Sequence, residues 1–233
     1  MSSFDGIAHD AWLLMSGFGR FPETGLTLNI ALTLAAVPAA MLLGVSVAVL
    51  RIRFDGPLRW LLVGYTEFAK AVPLILGVFW FYYVIPLVLG ENFPLFLSAT
   101  AALVFFGTAG FAEVVRGGWS ALPRAEVDSA HLAGLGARVI WCRVIIPRIG
   151  FAIVPAMLTM TVSMFKDTAV VFVIGLIDLT EAGTILANRD PDKLVAIYLM
   201  TGVAYFAVCS SLSMLARYCQ AAARRRGLAE RLS

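Results

Sequence analysis

Residues 26–50 contain no charged side chain, and this one stretch excludes most of the folds open to a chain of this length. A mostly apolar run of roughly 20 residues is what a helix needs to cross the hydrocarbon core of a bilayer. Inside that core only helices and closed barrels satisfy every backbone amide. Residues 60–89, 93–112, 150–177 and 194–216 read the same way. The composition agrees, with 60% of residues hydrophobic and 14% charged, against about 25% charged in a soluble domain. The expectation is an all-α integral membrane protein with five transmembrane helices within residues 26–216. A lead-in of residues 1–25 precedes them, and a basic tail of residues 217–233 follows. In the first span small residues recur every four positions: Ala31, Ala35 and Ala39 on one line, Ala36, Ala40 and Gly44 on its neighbour. Such lines let a second helix approach closely, where lipid provides no hydrophobic drive for association.

Loops rich in Lys and Arg stay cytoplasmic, so the placement of cations orients the chain. Arg51, Arg53 and Arg59 follow the first span. Arg116, Arg124, Arg138, Arg143 and Arg148 separate the third from the fourth, and Arg217, Arg224, Arg225, Arg226 and Arg231 follow the fifth. The other side holds Arg20, Arg189 and Lys193 among Asp5, Asp10, Glu23, Glu91, Asp178, Glu181, Asp190 and Asp192. The N-terminus is therefore expected outside and the C-terminus in the cytoplasm, in a multi-pass protein of the inner (cytoplasmic) membrane. Asp5 and Asp10 stand where a leader would carry cations, so no cleaved signal peptide is expected. In the lead-in, Trp12 and Phe18 suit a short helix anchored at the outer interface; an unstructured lead-in is the competing reading. The arginines of the tail suit an anionic lipid surface, not nucleic acid.

Several chemistries are missing. Cys142, Cys209 and Cys219 are too few and scattered for a disulfide or metal framework. His9 and His131 are isolated, and no phosphate loop or nucleophile elbow is present. The reading is a non-catalytic chain, without cofactor or metal, whose energy source is a separate polypeptide.

The polar segment 123–147 interrupts the apolar pattern between the third and fourth spans. Residues 125–133 suit a short helix ended by Gly134 and Gly136, as glycine commonly ends helices. Residues 138–146 form a second apolar-faced stretch that Pro147 is expected to stop. Helix, bend and helix would make a compact cytoplasmic knob; a plain amphipathic linker lying on the membrane is the competing reading.

This segment resembles the cytoplasmic signature of ABC importer permeases: Glu-Ala-Ala, three residues, Gly, nine residues, Ile-x-Leu-Pro. Here Asp128-Ser129-Ala130 precedes Gly134 by three residues, and nine more separate Gly134 from Val144-Ile145-Ile146-Pro147. Ala125-Glu126 stands where the family has Gly-Gln. Tyr65-Thr66-Glu67-Phe68-Ala69-Lys70-Ala71-Val72-Pro73-Leu74 resembles the Tyr-x-Glu-x-x-Arg-Gly-x-Pro-Leu block of polar amino acid permeases (histidine, glutamine, glutamate), with Lys70 for Arg. Ala112-Glu113-Val114-Val115-Arg116-Gly117-Gly118 resembles their Ala-Glu-x-x-Arg-x-Gly block, and Lys166-Asp167-Thr168-Ala169 their Lys-Asp-Thr-Ser element. Residues 79–86 look closest to the glutamate/aspartate branch. The resemblance implies a permease subunit of an ATP-driven importer for polar amino acids. Its partners would be ATP-binding subunits that hold ATP and magnesium, a second permease subunit (identical or paralogous), an extracytoplasmic substrate-binding protein, an amino-acid substrate and lipid. Glu126, Asp128, Ser129, Ala130, His131, Gly134 and Pro147 would then form the contact with the ATPase.

Charges inside spans are costly and usually face a cavity or a partner. Lys166 and Asp167 are adjacent, so they point about 100° apart on a helix and cannot simply neutralise each other. They line the substrate path with Thr168, or they are a structural pair at a subunit interface. Pro73 breaks the ladder of the second span, which marks Val72, Pro73 and Leu74 as pathway. Glu67 with Lys70, and Glu113 with Arg116, are three residues apart and suit local structural ion pairs. Asp178 reads as an outer-loop residue of lesser consequence than Asp167. The rival function is an ion-coupled secondary transporter or channel subunit using Lys166, Asp167, Glu67 and Lys70 as a relay. A membrane-embedded lipid enzyme would need clustered acids or histidines at one interface, and the sequence has none.

Overall fold

The computed structural model describes residues 3–16, 24–91 and 93–232, and among them every extended element is helical. The helices are α1 (Ser3–Ser16), α2 (Gly25–Arg53), α3 (Pro57–Ala71), α4 (Leu74–Leu89), α5 (Leu95–Ser120), α6 (Arg124–Leu132), α7 (Ala137–Ile174), α8 (Leu179–Arg189) and α9 (Leu194–Leu232). Four of them, α2, α5, α7 and α9, are long and apolar enough to cross a membrane alone. The helices α3 and α4 meet at 108°.

The α2 and α5 helices make the most extensive packing pair, and the expected line of small residues is the reason. Ala36, Ala40, Gly44 and Ala48 are all buried, and α5 lies against them. A Cβ on Gly44 would sit 2.5 Å from Phe111 Cβ and 2.9 Å from the Thr108 carbonyl oxygen. The neighbouring line is left open: Ala35 is exposed, and Ala31 and Ala39 are half-buried. Contacts climb in step, Ala40 beside Gly107, Gly44 beside Thr108 and Phe111, Ala48 with Ala112 and Val115. The two helices are therefore parallel. A chain that leaves α2 at one end and enters α5 at the other has to cross the bundle in between. Despite the sharp bend, α3 and α4 together make one broken span and not a re-entrant loop, which gives five crossings. By the same reasoning α7 is antiparallel to α5, with Met164 on Gly107, Met160 on Gly110 and Ile153 on Gly118. Flexible methionines fill notches that glycine leaves between helices.

The break falls where Pro73 has no N–H to donate and Val72 before it is driven to extended backbone (φ −89°, ψ 130°). Four expectations change. The third span runs on to Ser120, beyond the expected end at residue 112, so Glu113 and Arg116 sit within the helix. Pro147 does not stop a helix: Trp141–Ile145 widens into a π-turn, in which the Ile146 N–H bonds back to the Trp141 carbonyl, and α7 runs through with Pro147 just after the widened turn. The helix starts before Gly150, tightens to a 3₁₀ turn over Thr168–Ile174, and ends at left-handed Gly175 (φ 93°). The basic tail is a continuation of α9 and not a separate segment.

The lead-in forms helix α1, whose Leu14 is buried against Leu179 and Ile197 in one core cluster, while Trp12 is 65% exposed. Phe18, the other expected anchor, lies outside the described residues. Lys193 ties α1 to the start of α9, with Nζ 3.4 Å from Asp10 Oδ2 and 2.9 Å from Asp190 Oδ2.

Candidate functional site

Three regions of the bundle carry the polar chemistry. The first is at the end that bears Arg51, Arg116 and the foot of α7. Helix α6 closes on Gly134, whose φ of 74° is left-handed. The Leu135 N–H donates back to the Ala130 carbonyl at 3.2 Å, the bond that finishes a helix through a left-handed glycine. Ala130 is buried with Ile140 and Ile145, packed by Trp119, Leu122, Trp141 and Ile149. The Trp119 and Trp141 rings stack at 5.3 Å and 12°. This small apolar core fastens α6 to the last turn of α5 and the first turns of α7. Asp128 and Ser129 are exposed, the Ser129 hydroxyl donating to the Ala125 carbonyl at 2.7 Å. Leu132 is 90% exposed. The side chains of Glu126 and His131 lie outside the described residues. The segment is a packed helix–bend–helix knob with an exposed tip.

The second region lies half-way along α5. A cavity of about 170 Å³ is lined by Val72 and Leu74 at the α3–α4 break, Phe106 and Gly107 of α5, and Met160, Met164 and Asp167 of α7. Three expected pathway residues, Val72, Leu74 and Asp167, thus converge. Pro73 and Lys166 are exposed and Thr168 is buried, and none of the three lines this cavity. The divergence of Lys166 from Asp167 follows from helix geometry, since neighbours point about 100° apart.

A ladder of ions joins these two levels. Glu113 accepts from Arg51 Nη1 at 2.7 Å through one oxygen and from Arg116 Nε at 2.7 Å through the other. Arg51 also donates to Thr66 Oγ1 at 3.0 Å, which connects α2, α3 and α5. Lys70 pairs with Glu67 at 2.7 Å on the exposed face of α3.

The third region, at the opposite end, is one the sequence reading passed over. Asp178 is not a loop charge in water but is completely buried. It caps α8, with Oδ1 accepting the Glu181 N–H at 3.0 Å. Its Oδ2 accepts from Tyr205 OH at 3.1 Å and from Asn29 Nδ2 at 3.2 Å. The Asn29 amide is also 2.9 Å from Thr168 Oγ1, and its carbonyl oxygen accepts the Leu179 N–H at 2.9 Å. Gly25 N–H donates to the Ile177 carbonyl at 2.7 Å, closing the α2 entry onto this turn. Burial pushes the Asp178 carboxyl above the ordinary carboxylate range in spite of these donors. Two signals in the sequence point to the cluster. Asp178-Leu179-Thr180-Glu181 has the spacing of a helix-capping box, and Asn29 is a polar residue inside an otherwise apolar span.

The comparisons with known proteins agree with this arrangement. The model of a family described as "Binding-protein-dependent transport system inner membrane component" matches residues 40–225. The glutamate/aspartate import permease protein GltK of Escherichia coli O157:H7 is 29% identical over 201 residues, which make up 83% of this chain and 89% of that protein. The probable amino-acid ABC transporter permease protein y4tG of Sinorhizobium fredii is 30% identical over 164 residues, 70% of this chain and 71% of that one. A crystal structure of an amino acid ABC transporter with histidines superposes with a TM-score of 0.83 at 25% identity, covering 94% of this chain and 98% of that chain. From the middle of α2 to the basic end of α9 the fold, the knob and the family match coincide, and the chain belongs to the inner membrane components of binding-protein-dependent transport systems.

Proposed function

We propose that this chain is one of two permease subunits of an ATP-driven importer of polar amino acids, with its arginine-bearing end in the cytoplasm. The observation that carries the reading is the knob: an exposed α6 tip, held by the Trp119–Trp141 core to the feet of α5 and α7. A push on Leu132, Asp128 or Ser129 has no slack to absorb it and passes to both helices together. These two helices also wall the cavity at Asp167. ATP and magnesium belong to separate subunits, whose closure moves the knob and rocks α5 against α7. The substrate arrives from the opposite face on a binding protein.

Among the described residues, Asp167 is the one charged group lining that cavity. A carboxylate there suits the α-ammonium group that all amino acids share, so it serves passage and leaves side-chain choice to the binding protein. The similarity to GltK favours glutamate and aspartate as cargo. The test is uptake into vesicles containing the assembled transporter, its binding protein and internal ATP, with glutamate, aspartate, glutamine and histidine as cargo. ATP-dependent uptake of an acidic or polar amino acid supports the reading. Uptake that persists without the ATPase subunits and collapses with a protonophore would instead establish an ion-coupled carrier.

A further inference from the structure

The last turn of α4 stands off from the bundle at the end opposite Arg51 and Arg116. Leu87, Val88 and Leu89 are 83%, 76% and 60% exposed. Successive helical residues point about 100° apart, so this turn meets its surroundings on most sides. A cavity of about 590 Å³ opens beside it, with Tyr82, Tyr83, Pro86, Gly90, Glu91 and Phe93 in its wall. It shares no residue with the cavity at Asp167.

The local sequence builds this pocket. Pro86 has no N–H to donate to the Tyr82 carbonyl. Ahead of it Trp80–Val84 widens into a π-turn, which the Ile85 N–H closes on the Trp80 carbonyl; such turns are frequent at functional sites. The helix then ends through left-handed Gly90 (φ 71°), and the N–H groups of Gly90 and Glu91 both return to the Pro86 carbonyl, at 2.8 and 3.3 Å. That turn brings Glu91 and Phe93 to the cavity that the two tyrosines wall. The Tyr82 and Tyr83 rings meet at 4.5 Å and 69°, which makes a corner, and Phe79 stacks on Tyr83 at 6.0 Å and 23°.

The wall selects by charge. Aromatic faces are negative and attract a cation, best where water is partly excluded. Glu91 is exposed, and among the described residues it forms no ion pair. Lys193, a cation at the same end, is engaged by Asp10 and Asp190. Rings alone would be the ordinary aromatic belt of a membrane interface; a carboxylate set among them repels anions and favours a positive ligand. An alkylammonium group offers C–H bonds to the rings and charge to Glu91.

We propose that this pocket binds an alkylammonium group, the cation lying against Tyr82, Tyr83 and Phe93 with its charge balanced by Glu91. Two sources share that chemistry, the ethanolamine headgroup of a phospholipid and a small soluble amine. Only the leaflet rests on the orientation proposed above; the binding itself does not.

The test uses the purified transporter carrying this full chain, in micelles and without its binding protein. One pair of probes is choline and its uncharged tert-butyl isostere, read by saturation-transfer NMR. The other is phosphatidylethanolamine and phosphatidylglycerol, read as retention in native mass spectrometry. The ammonium member should be preferred in at least one pair: preference for choline alone makes the ligand a soluble amine, and preference for phosphatidylethanolamine makes it a headgroup. Tyr83→Leu should weaken the preferred probe about threefold, as for one exposed cation–π contact. Glu91→Gln, which keeps the shape, should weaken it about fivefold, as for one unit charge close by in water. Replacing Phe93 by increasingly fluorinated phenylalanines, which drains the ring face at nearly constant shape, should weaken it stepwise. Asp192→Asn, the same charge change elsewhere at that end, should alter nothing. Absence of preference in both pairs, an equal loss from Asp192→Asn, or indifference to Tyr83→Leu and Glu91→Gln overturns the proposal. Tyr83 and Glu91 are both exposed, so their variants keep the fold, and a thermal melt checks this.

Discussion

Asp178 and Gly134 show how much can depend on one position. Replacing Asp178 with Ala leaves the Glu181 N–H without its acceptor, while Tyr205 OH keeps Thr180 Oγ1 at 3.0 Å and the Asn29 amide keeps Thr168 Oγ1 at 2.9 Å. A buried donor left without a partner costs about 1–3 kcal/mol, so Asp178→Ala should lower stability by about 1–3 kcal/mol and Tyr205→Phe by about 1 kcal/mol, read as melting of the purified transporter. The raised carboxyl gives the effect a pH signature. A group whose folded pKa lies above its unfolded value adds stability below the ordinary Asp range and loses it as pH rises through the folded value. The melting-temperature gap between the native chain and Asp178→Asn should therefore shrink as pH rises through that window; a gap independent of pH would contradict it. At Gly134 the constraint is backbone: a β-branched residue at φ 74° is strained by about 1–2 kcal/mol, although nothing crowds the site. Gly134→Val should leave the protein in the membrane but separate ATP hydrolysis from uptake, and normal coupled transport would remove the main support for the lever. The glycine and the capping spacing were both legible in the sequence. That Asp178 meets Asn29 was not, because the pair is 149 residues apart and only the closed bundle brings them together.

At the level of the helices, four-residue spacing of small residues proved informative where hydropathy was not. The Ala36–Ala40–Gly44 line marked the packing face of α2, but a face carries no direction, and only the order of its contacts with Gly107, Phe111 and Ala112 shows that the pair is parallel. The crowding predicts a sharp contrast. Gly44→Ala presses on Phe111 and the Thr108 carbonyl and should cost about 1–3 kcal/mol, as overpacking does. Gly117→Ala has nothing within reach and should be neutral or stabilise the helix by up to about 1 kcal/mol. Equal melting of the two variants would mean α2 and α5 are looser than described. Pro73 announced the break in the second span, although Pro38 and Pro155 sit inside unbroken helices, so a proline marks where a helix can break without alone forcing it. The tightening of α7 over Thr168–Ile174 gave no such notice: Val170, Val171 and Val173 read as ordinary span, and only Gly175 hints that the helix ends there.

For the whole molecule, the cations predict one direction of insertion. Leu132→Cys should react with a membrane-impermeant reagent only from the cytoplasmic face and be shielded when the ATPase subunits are present. Trp12→Cys should react only from the outer face; the reverse pattern would invert the proposed mechanism. Five crossings could be counted from the sequence because each needs its own apolar run, whereas the polar closure at the far end could not, since it is assembled from four separate elements. That closure also sets the order in which the molecule can be made. Asn29 emerges from the ribosome ahead of Thr168, Asp178 and Tyr205 by 139, 149 and 176 residues. At about 5–20 residues per second this is a wait of roughly 7 to 35 s. During it α2 holds an unsatisfied amide near the membrane surface, with water as its temporary host. Biogenesis therefore ends where the chain began, and a polypeptide cut short before Tyr205 displays an orphaned first span to the quality-control proteases of the membrane.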